Sequence, residues 1–561
     1  TGGAGNTFRG TSASVNRDLV NTVNGNVTVI SGQWSCVDGG NDLTEVWNVK
    51  GNVTVGDPST ASGMARMGPF TSSSSSHRLG IFNIAGNLSF INGAKLQAGS
   101  GLSSTSATET GIINLGGSLT MDSTTTFGTN SVGVFALNFV GSTTQSVTLY
   151  TPFVMSSSTK QPVVNDTVAA GSSVSFAQTG TSWFVGGPGS FVVNGTFSLP
   201  QGDTLKGGQS FELNDGATLG IGSPVGLEST GGVQLTGGRT FSTKANYVFN
   251  GTSSQMTGRW LPDTVNNLTT ISTEDIKLSK PLTVNGALGV VIGKLILGPY
   301  DLTAHAISGG SPTRYVETDS TGVLRVPGVG SAQVLFPVGT PSGYAPVWVT
   351  NSGTADTVSV SVSPDSNTGT DRPARVNLKW KIGASNATGG DYALQFGWMG
   401  SAEDTAFAAN RSSYAKIFLE SDSSAYAEAG SGSYTTQLSS APYTVSRGGV
   451  TTPGTFVIGN FGATAVRTTE TVPAVFRLFQ NYPNPFNPTT TINFTVAEKG
   501  TATLKVYNIL GQEVTTLFSG AVQSGKIYRV PFSAGELSSG VYFGVLQSGG
   551  RRQIQKMVLI K

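Results

Sequence analysis

The 561-residue chain has very few of the side chains that most enzymes and metal sites use. It contains one cysteine, Cys36, and two histidines, His77 and His305. A single cysteine excludes an internal disulfide, and two distant histidines argue against a histidine-rich metal site or a catalytic triad. The sequence also has no GxSxG, P-loop or HExxH motif. We therefore expect a protein that is not an enzyme and needs no cofactor.

Charged residues and long apolar runs are also scarce. Charged side chains make up 11% of the chain, against about 25% in ordinary soluble proteins. The net charge is +2, which favours neither nucleic acid nor an anionic membrane as a partner. No run of 18 apolar residues occurs, so no transmembrane segment is predicted.

Glycine and short alternating apolar stretches are abundant, and one five-residue motif recurs. GNVTV occupies residues 25–29 and again 51–55, GNLSF occupies 86–90, and GSLTM occupies 117–121. One such unit cannot bury its apolar face alone, but stacked copies bury a continuous core. We predict a right-handed parallel β-helix over residues 25–307, preceded by an extended segment over residues 1–24. The side chains predicted to stack inward include Val27, Val29, Val53, Val55, Leu88 and Phe90.

Two further patterns belong to this region. Asparagine recurs at the turn corners, as at Asn26, Asn52 and Asn87. It tolerates the left-handed conformation, and its amide can form a hydrogen bond within a turn. The stretch LNFVGSTTQSV, from Leu137, resembles VFNGTSSQMTG, from Val248. We interpret both stretches as looser copies of the same coil.

The pattern changes after residue 307, where longer strands recur at antiparallel spacing. Trp348, Trp380 and Trp398 lie on alternating strands and suggest the core of a β-sandwich. We predict this sandwich over residues 308–467, followed by a linker over 468–475. A small immunoglobulin-like sandwich of about seven strands is predicted over 476–561, so the whole chain is expected to be all-β.

The stretch NYPNPFNPTTTINF, from Asn481 to Phe494, places three prolines within six residues. Proline cannot donate to a sheet ladder, and it restricts the backbone of the residue before it. Pro483, Pro485 and Pro488 therefore predict a stiff, extended lead-in to the first full strand. Tyr482 and Phe486 are expected to pack on the sandwich.

Residues 476–561 resemble the C-terminal sorting domain of the type IX secretion system, the Por secretion tail. LFQNYPNPFNPTTTI opens the segment, LKVYNILGQEV and SSGVYFGVLQSG follow, and QIQKMVLIK closes it. The residues that carry the resemblance are Tyr482, Pro483, Asn484, Pro485, Phe486, Asn487, Pro488, Tyr507, Gly511, Gly540 and Tyr542. The resemblance implies a surface β-helix protein of Bacteroidota. It also implies contact with the secretion machinery and delivery, after periplasmic transit, to the outer cell surface or the medium.

Two weaker patterns concern ligands and modification. In SPDSNTGTDRP the oxygen-bearing side chains of Asp365, Asn367 and Asp371 alternate as in a calcium loop, but no bidentate glutamate follows, and a plain turn is the alternative. Asp-Ser/Thr sites followed by a small or apolar residue resemble the O-glycosylation sites of Bacteroidota. The candidates are Ser123, Thr167, Thr204, Thr264, Ser320, Thr357 and Thr405.

Two functional classes remain open at this stage. The first is an extracellular structural protein, a self-assembling subunit of a filament, sheath or surface layer. The second is a cell-surface adhesin or glycan-binding protein. A β-helix enzyme acting on polysaccharide is a distant third, because it would need paired carboxylates. The early cluster of Asp38, Asp42 and Glu45 is interpreted as solvated.

Overall fold

The computed structural model describes most of the chain in separate stretches. These are residues 7–8, 19–37, 43–59, 65–70, 78–98, 109–129, 133–150, 153–155, 163–177, 182–185, 187–318, 320–365, 373–386, 389–422, 425–461, 467–471, 475–524, 526–535 and 537–560. Residues Thr1–Gly328, Leu335–Pro346 and Thr357–Ser361 belong to one compact unit, and the remainder forms a second.

The first unit contains stacked coils whose strands pair in parallel, as predicted for a β-helix. We call the first face sheet I. Its strands are Leu19–Val23, Leu43–Val49, Arg78–Ile84, Glu109–Leu115, Val134–Phe139, Val163–Val168, Gly189–Val193, Ser210–Leu213 and Arg239–Phe241. The second face is sheet II. Its strands are Val27–Val29, Val53–Val55, Leu88–Phe90, Leu119–Met121, Thr144–Leu149, Ser173–Phe176, Thr196–Leu199, Thr218–Ile221, Asn246–Phe249, Asn267–Thr270, Leu282–Val290 and Leu302–Gly309.

The third face is built from three successive groups of strands. The first group is Thr7–Phe8, Gly32–Val37, Ala65–Phe70, Lys95–Ala98 and Thr126–Thr129. The second group is Phe153–Met155, Ser182–Val185, Thr204–Gly207 and Val233–Leu235. The third group is Gln255–Met256, Ile276–Lys277, Leu295–Ile296, Val316–Glu317, Val338–Thr340 and Gly343–Tyr344. Thr7–Phe8 pairs with Gly32–Val37, so part of the predicted N-terminal extended segment already belongs to the coils.

The recurring motif stacks in register, copy upon copy. Val27 pairs with Val53, Val53 with Leu88, and Leu88 with Leu119. Val53, Val55, Leu88 and Phe90 are fully buried, which confirms their predicted inward direction. Val27 and Val29 are only half-buried, because they lie in the first coil of sheet II.

Glycine and asparagine hold the corner of each coil. The Asn26 side-chain oxygen accepts the backbone N–H of Asn52 at 2.8 Å, and Asn52 accepts that of Asn87 in the same way. A Cβ on Gly51 or Gly86 would lie 2.4 Å from the asparagine oxygen below it, so only glycine fits. The corner asparagines do not adopt the left-handed conformation that we expected. They bond to the next coil, not within their own turn.

Stacked amides reinforce the outer surface of sheet I. Asn83 donates to Asn48 at 2.8 Å, Asn114 to Asn83 at 2.8 Å, and Asn138 to Asn114 at 2.9 Å. Each asparagine thus satisfies its neighbour across one strand spacing. In the sequence these asparagines recur at the spacings of the repeat, but only the strand register shows that their amides are in contact.

Two buried glutamines explain the similar stretches at Leu137 and Val248. Gln145 accepts the backbone N–H of Gly141 and donates to the carbonyl of Leu115 in the preceding coil. Gln255 repeats this arrangement with Gly251 and Ile221. The glutamine of the shared G-x-x-x-Q spacing therefore links neighbouring coils by hydrogen bonds.

Parallel pairing continues past residue 307, where we expected the β-helix to end. Leu295 pairs with Val316, Val316 with Val338, and Leu302 with Leu324. The third face then ends in an antiparallel pair between Gly339 and Tyr344. Further strands follow at Leu324–Val329, Val334–Phe336 and Asp356–Pro364.

The second unit contains the predicted antiparallel sandwich. Two sets of strands form it: Val347–Asn351, Tyr392–Trp398, Tyr443–Val450 and Thr435–Gln437, and Leu378–Ala384, Gly454–Ile458, Ile417–Asp422 and Ala425–Glu428. Short helices lie at Gly400–Ala402, Thr405–Ala409 and Arg411–Tyr414. Trp380 and Trp398 are fully buried, as predicted, whereas Trp348 is half-exposed.

The C-terminal residues form a second sandwich of two four-stranded sheets. One sheet contains Arg467–Thr471, Lys526–Ser533, Thr489–Thr495 and Arg477–Leu478. The other, which we call the tail sheet, contains Glu513–Val522, Gly500–Asn508, Gly540–Ser548 and Arg551–Leu559. The edge strand Arg467–Thr471 therefore includes the first four residues of the predicted linker, 468–471. The core between the sheets includes Leu478, Phe494, Leu504, Val530 and Met557.

Among the buried carboxyl groups of the β-helix, those of Asp166 and Glu45 have strongly shifted pKa values. Asp166 is fully buried and accepts the backbone N–H of Leu137 at 3.2 Å. Burial raises the pKa of Asp166 from its ordinary value of 3.8 to about 7, although hydrogen bonds from Leu137 and Gln209 act in the opposite direction. Burial likewise raises the pKa of Glu45 to about 7. The folded coil therefore favours the protonated form of each carboxyl group more strongly than the unfolded chain does.

We predict that Asp166→Asn stabilises the β-helix at pH 8 and has little effect at pH 4. The pKa of Asp166 is higher in the folded than in the unfolded chain, so the fold loses stability as the pH rises from about 4 to about 7, and this cost is nearly absent at pH 4. The gain at pH 8 is at most about 4 kcal/mol. Chemical unfolding of both proteins at the two pH values measures it. An equal effect of the substitution at both pH values would contradict the assignment.

Candidate functional site

The proline-rich stretch closes a loop instead of running as an extended lead-in. Tyr482 and Thr491 exchange both backbone hydrogen bonds at 3.0 Å, so the chain between them turns back on itself. The Pro483 carbonyl accepts hydrogen bonds from the side chains of Asn481 at 3.1 Å and Thr490 at 2.7 Å. The expectation of a stiff extended segment was wrong, because the backbone pair of Tyr482 and Thr491 brings the two ends of the stretch together.

This loop is bonded to the last strand of the domain. The Asn484 side chain accepts the Val558 N–H at 2.8 Å and donates to the Lys556 carbonyl at 3.1 Å. The Phe486 N–H donates to Val558 at 2.9 Å, and Ile560 donates back to Phe486 at 2.9 Å. The motif therefore joins the opening and the closing strand of the tail sandwich, which are more than 70 residues apart in the chain.

The two aromatic residues of the loop behave differently. Phe486 is buried and its ring lies 5.8 Å from that of Phe532, as predicted. Tyr482 is 83% exposed, so the prediction that it packs on the sandwich was wrong. Its backbone is held by the Thr491 bridge, which leaves the ring in solvent. The exposed remainder of the loop motif consists of Pro483, Pro485, Asn487 and Pro488.

A second motif element is a tight turn between two strands of the tail sheet. The Asn508 side-chain oxygen accepts the N–H groups of Leu510 and Gln512, each at 3.0 Å. Gly511 adopts φ +77°, a conformation that favours glycine. The segment LKVYNILGQEV that carries the resemblance contains both Asn508 and Gly511, and both residue types favour turns.

The remaining motif residues stabilise the tail sheet. Tyr542 is buried, and its hydroxyl donates to the Ser538 carbonyl at 2.8 Å. Gly540 begins the same strand and pairs with Leu559, while Tyr507 pairs with Phe543. These positions support the structure of the domain, and their contacts are within the domain.

The predicted calcium loop is described only at Asp365. This carboxylate is buried and lies 2.8 Å from the Arg375 guanidinium and 3.9 Å from the Lys379 ammonium. Asn367 and Asp371 lie outside the described residues. In the stretches that the structure describes, no three His, Cys, Asp or Glu side chains come together as a metal site. Asp365 thus serves an internal ion pair, and the calcium hypothesis stays a prediction.

The seven predicted glycosylation positions fall into two groups. Ser123, Ser320 and Thr405 are exposed. The half-buried positions are Thr167, Thr204, Thr264 and Thr357. At three of these, the preceding aspartate is buried, namely Asp166, Asp203 and Asp356. An enzyme that reads the aspartate could not reach it there, so the exposed group is the better set of candidates.

The residues weighed for catalysis do not form a site within the described stretches. Asp38, Asp42 and His77 lie outside those stretches, so their arrangement stays open. Glu45 is directed into the β-helix, where it accepts hydrogen bonds from Trp47 at 2.8 Å and Asn21 at 3.1 Å. The interpretation of Glu45 as a solvated carboxylate was wrong. His305 is exposed, with its ring nitrogen 3.2 Å from the Val284 carbonyl.

Comparison with known families agrees with the geometry of the tail. Residues 480–561 match the family of the secretion system C-terminal sorting domain. The chain is a type IX secretion cargo protein. Its tail therefore supports export to the cell surface or the extracellular space. No curated protein matches the chain. Among the described residues of this cargo protein, no helix is long and apolar enough to span a bilayer.

We predict that Asn484→Ala loosens the closing strand of the sorting domain. The substitution removes the acceptor of the Val558 N–H and the donor to Lys556, at a cost of about 1–3 kcal/mol. Hydrogen exchange should accelerate at Val558 and Ile560. Asn487→Ala, at an exposed position of the same loop, serves as the control. Unchanged exchange in the Asn484 variant would show that the loop does not hold the strand.

Proposed function

We propose that the secreted chain is an extracellular structural protein whose copies associate into a filament, sheath or surface layer. The single observation that carries the proposal is the state of the first coil of the β-helix. Val20 on sheet I is 68% exposed. Val27 and Val29 on sheet II are only half-buried, whereas their partners Val53 and Val55 in the next coil are fully buried. The first coil therefore carries apolar side chains like those that the later coils bury, but here they remain partly exposed.

The backbone of this coil supports the same conclusion. Val27–Val29 pairs with Val53–Val55 on one side, and no described strand pairs with its other edge. An open strand edge presents N–H and C=O groups that can pair with another chain. We propose that a second copy pairs there, and that strand pairing contributes most of the hold because the chain carries few charges.

Residues 1–15 of the extended N-terminal segment are not the contact that we propose between copies. Thr7 and Phe8 pair with Gln33 and Trp34 of their own chain, and the rest of that segment lies outside the described residues. The far end of the third face ends in the antiparallel pair of Gly339 and Tyr344. The contact that we now propose is therefore the first coil itself, and not a donated N-terminal arm.

We predict that Val20→Lys combined with Thr28→Lys abolishes association. Both side chains are exposed in the first coil, so the chain should still fold, but a lysine on each edge strand would hinder the pairing of a second chain there. Sedimentation velocity and electron microscopy measure the assembly. Val140→Lys, at a 47% exposed position in a later coil, is the matched control. A parent protein that stays monomeric at high concentration would refute the proposal.

A second function, glycan binding, is favoured by the outer surface of sheet II. From Val27–Val29 through Thr218–Ile221, each outward position is serine, threonine or glycine. Strand register aligns them in rows, such as Thr28, Thr54, Ser89, Thr120 and Thr148. At about 4.8 Å per strand, the eight strands make a neutral hydroxyl strip roughly 35 Å long. The strip has no aromatic ring, so recognition would rest on hydrogen bonds with a neutral polysaccharide.

If this strip binds glycans, Thr54→Val with Thr120→Val should weaken binding to a neutral polysaccharide such as cellulose. Each lost hydrogen bond of about 1 kcal/mol corresponds to roughly fivefold in affinity. Co-sedimentation measures the binding, and alginate tests for an anionic preference. Thr110→Val, on the outer surface of sheet I, is the control. We expect binding without cleavage, since we propose no catalytic role; release of sugars would contradict that part.

A further inference from the structure

The sorting domain exposes apolar side chains that its own fold does not use. Among the described residues, its three most exposed large hydrophobic side chains are Tyr482 at 83%, Leu510 at 77% and Ile509 at 71%. Scattered exposed apolar residues are ordinary, but contiguous or rigidly held ones mark interaction sites. Ile509 and Leu510 are adjacent at the tip of one turn, so their exposure requires an explanation.

The strand register places the turn and the proline loop at the same end of the tail sheet. Asn508 pairs with Tyr542, Tyr542 pairs with Met557, and Phe486 lies beside Leu559. The turn follows Asn508 and therefore extends beyond the same end at which the loop joins the last strand. Neighbouring strands are about 4.8 Å apart, so the turn and the loop are separated by roughly 15 Å across the sheet.

Hydrogen bonds fix the backbone of the turn, and an ion pair at its base leaves the turn without net charge. The Asn508 side-chain oxygen accepts the N–H groups of Leu510 and Gln512, and its own N–H donates to the Gln512 carbonyl, so the backbone that carries the two aliphatic side chains is held in one turn conformation. At the base of the turn, Lys505 and Glu513 pair at 2.9 Å. Two polar residues would close such a turn equally well. A neutral, preorganised aliphatic pair suits insertion into an apolar pocket of a protein.

We propose that Ile509 and Leu510 dock the sorting domain into an apolar pocket of the secretion apparatus. The family match makes that apparatus the partner of the domain. The contact is too small for stable membrane binding, which requires a wide apolar face and basic residues. It is also distinct from the first coil proposed for self-association, and it rests on the sorting role alone.

The test compares surface delivery of the full chain in secreting cells. Ile509→Ser with Leu510→Ser should reduce delivery more than tenfold and leave the protein in the periplasm, as deletion of residues 476–561 should. Ile554→Ser, at a 48% exposed position within the same sheet, should leave delivery unchanged. Delivery of the double variant at the parent rate would overturn the proposal, as would an equal loss from Ile554→Ser.

Folding and partner identity are checked separately. The purified double variant should melt at the parent temperature, because both side chains are in solvent; if it does not, the single substitutions Ile509→Ser and Leu510→Ser replace it. A photo-crosslinking side chain at position 510 should form an adduct with a component of the type IX apparatus. An adduct only with lipid or with a second copy would overturn the proposal. Self-association of the purified variant should stay at the parent level, which separates this contact from the structural role.

Discussion

The structure depends on one repeated contact, the hydrogen bonding of each β-helix coil to the coil below it. Parallel strands can stack this closely only if the corners match, and glycine with asparagine makes that match. The asparagine oxygen of one coil accepts a backbone N–H of the next, at a distance that excludes a Cβ on the glycine above Asn26 or Asn52. Once the corners are fixed, the apolar rows, the amide row and the hydroxyl rows follow from the register.

Because charged residues are scarce, the outer faces of the β-helix carry mainly neutral polar side chains, and these differ from one face to the next. Sheet I exposes an asparagine row, and sheet II exposes hydroxyl groups. Two of the buried carboxyl groups, those of Glu45 and Asp166, have pKa values that burial raises to about 7. Such a body offers little for electrostatic attraction. Its contacts with partners would rest on backbone pairing and neutral hydrogen bonds, which is why both proposed functions use those interactions.

The sorting domain follows a different logic. The side chains of Asn481 and Thr490 form hydrogen bonds within its proline loop. The Asn484 side chain then bonds this loop to the last strand. The motif that identifies the family is thus mainly structural, since most of its residues bond within the domain. Among the exposed residues of the motif region, Tyr482 and the aliphatic pair after Asn508 are the large apolar side chains that the fold does not bury.

Local pattern by itself determined the all-β class, the stacked coils and the export tail, because strand alternation, turn residues and the proline motif are properties of neighbouring residues. Burial of Val53 and Leu88 followed directly from alternation. Contacts between distant residues were decided only by the tertiary structure. The inward direction of Glu45, the pairing of Asp365 with Arg375, the closed proline loop and the exposure of Tyr482 all depend on which segments meet in space. Alternation predicts on which face of a strand each side chain lies, but it does not identify the residues that the side chain contacts there.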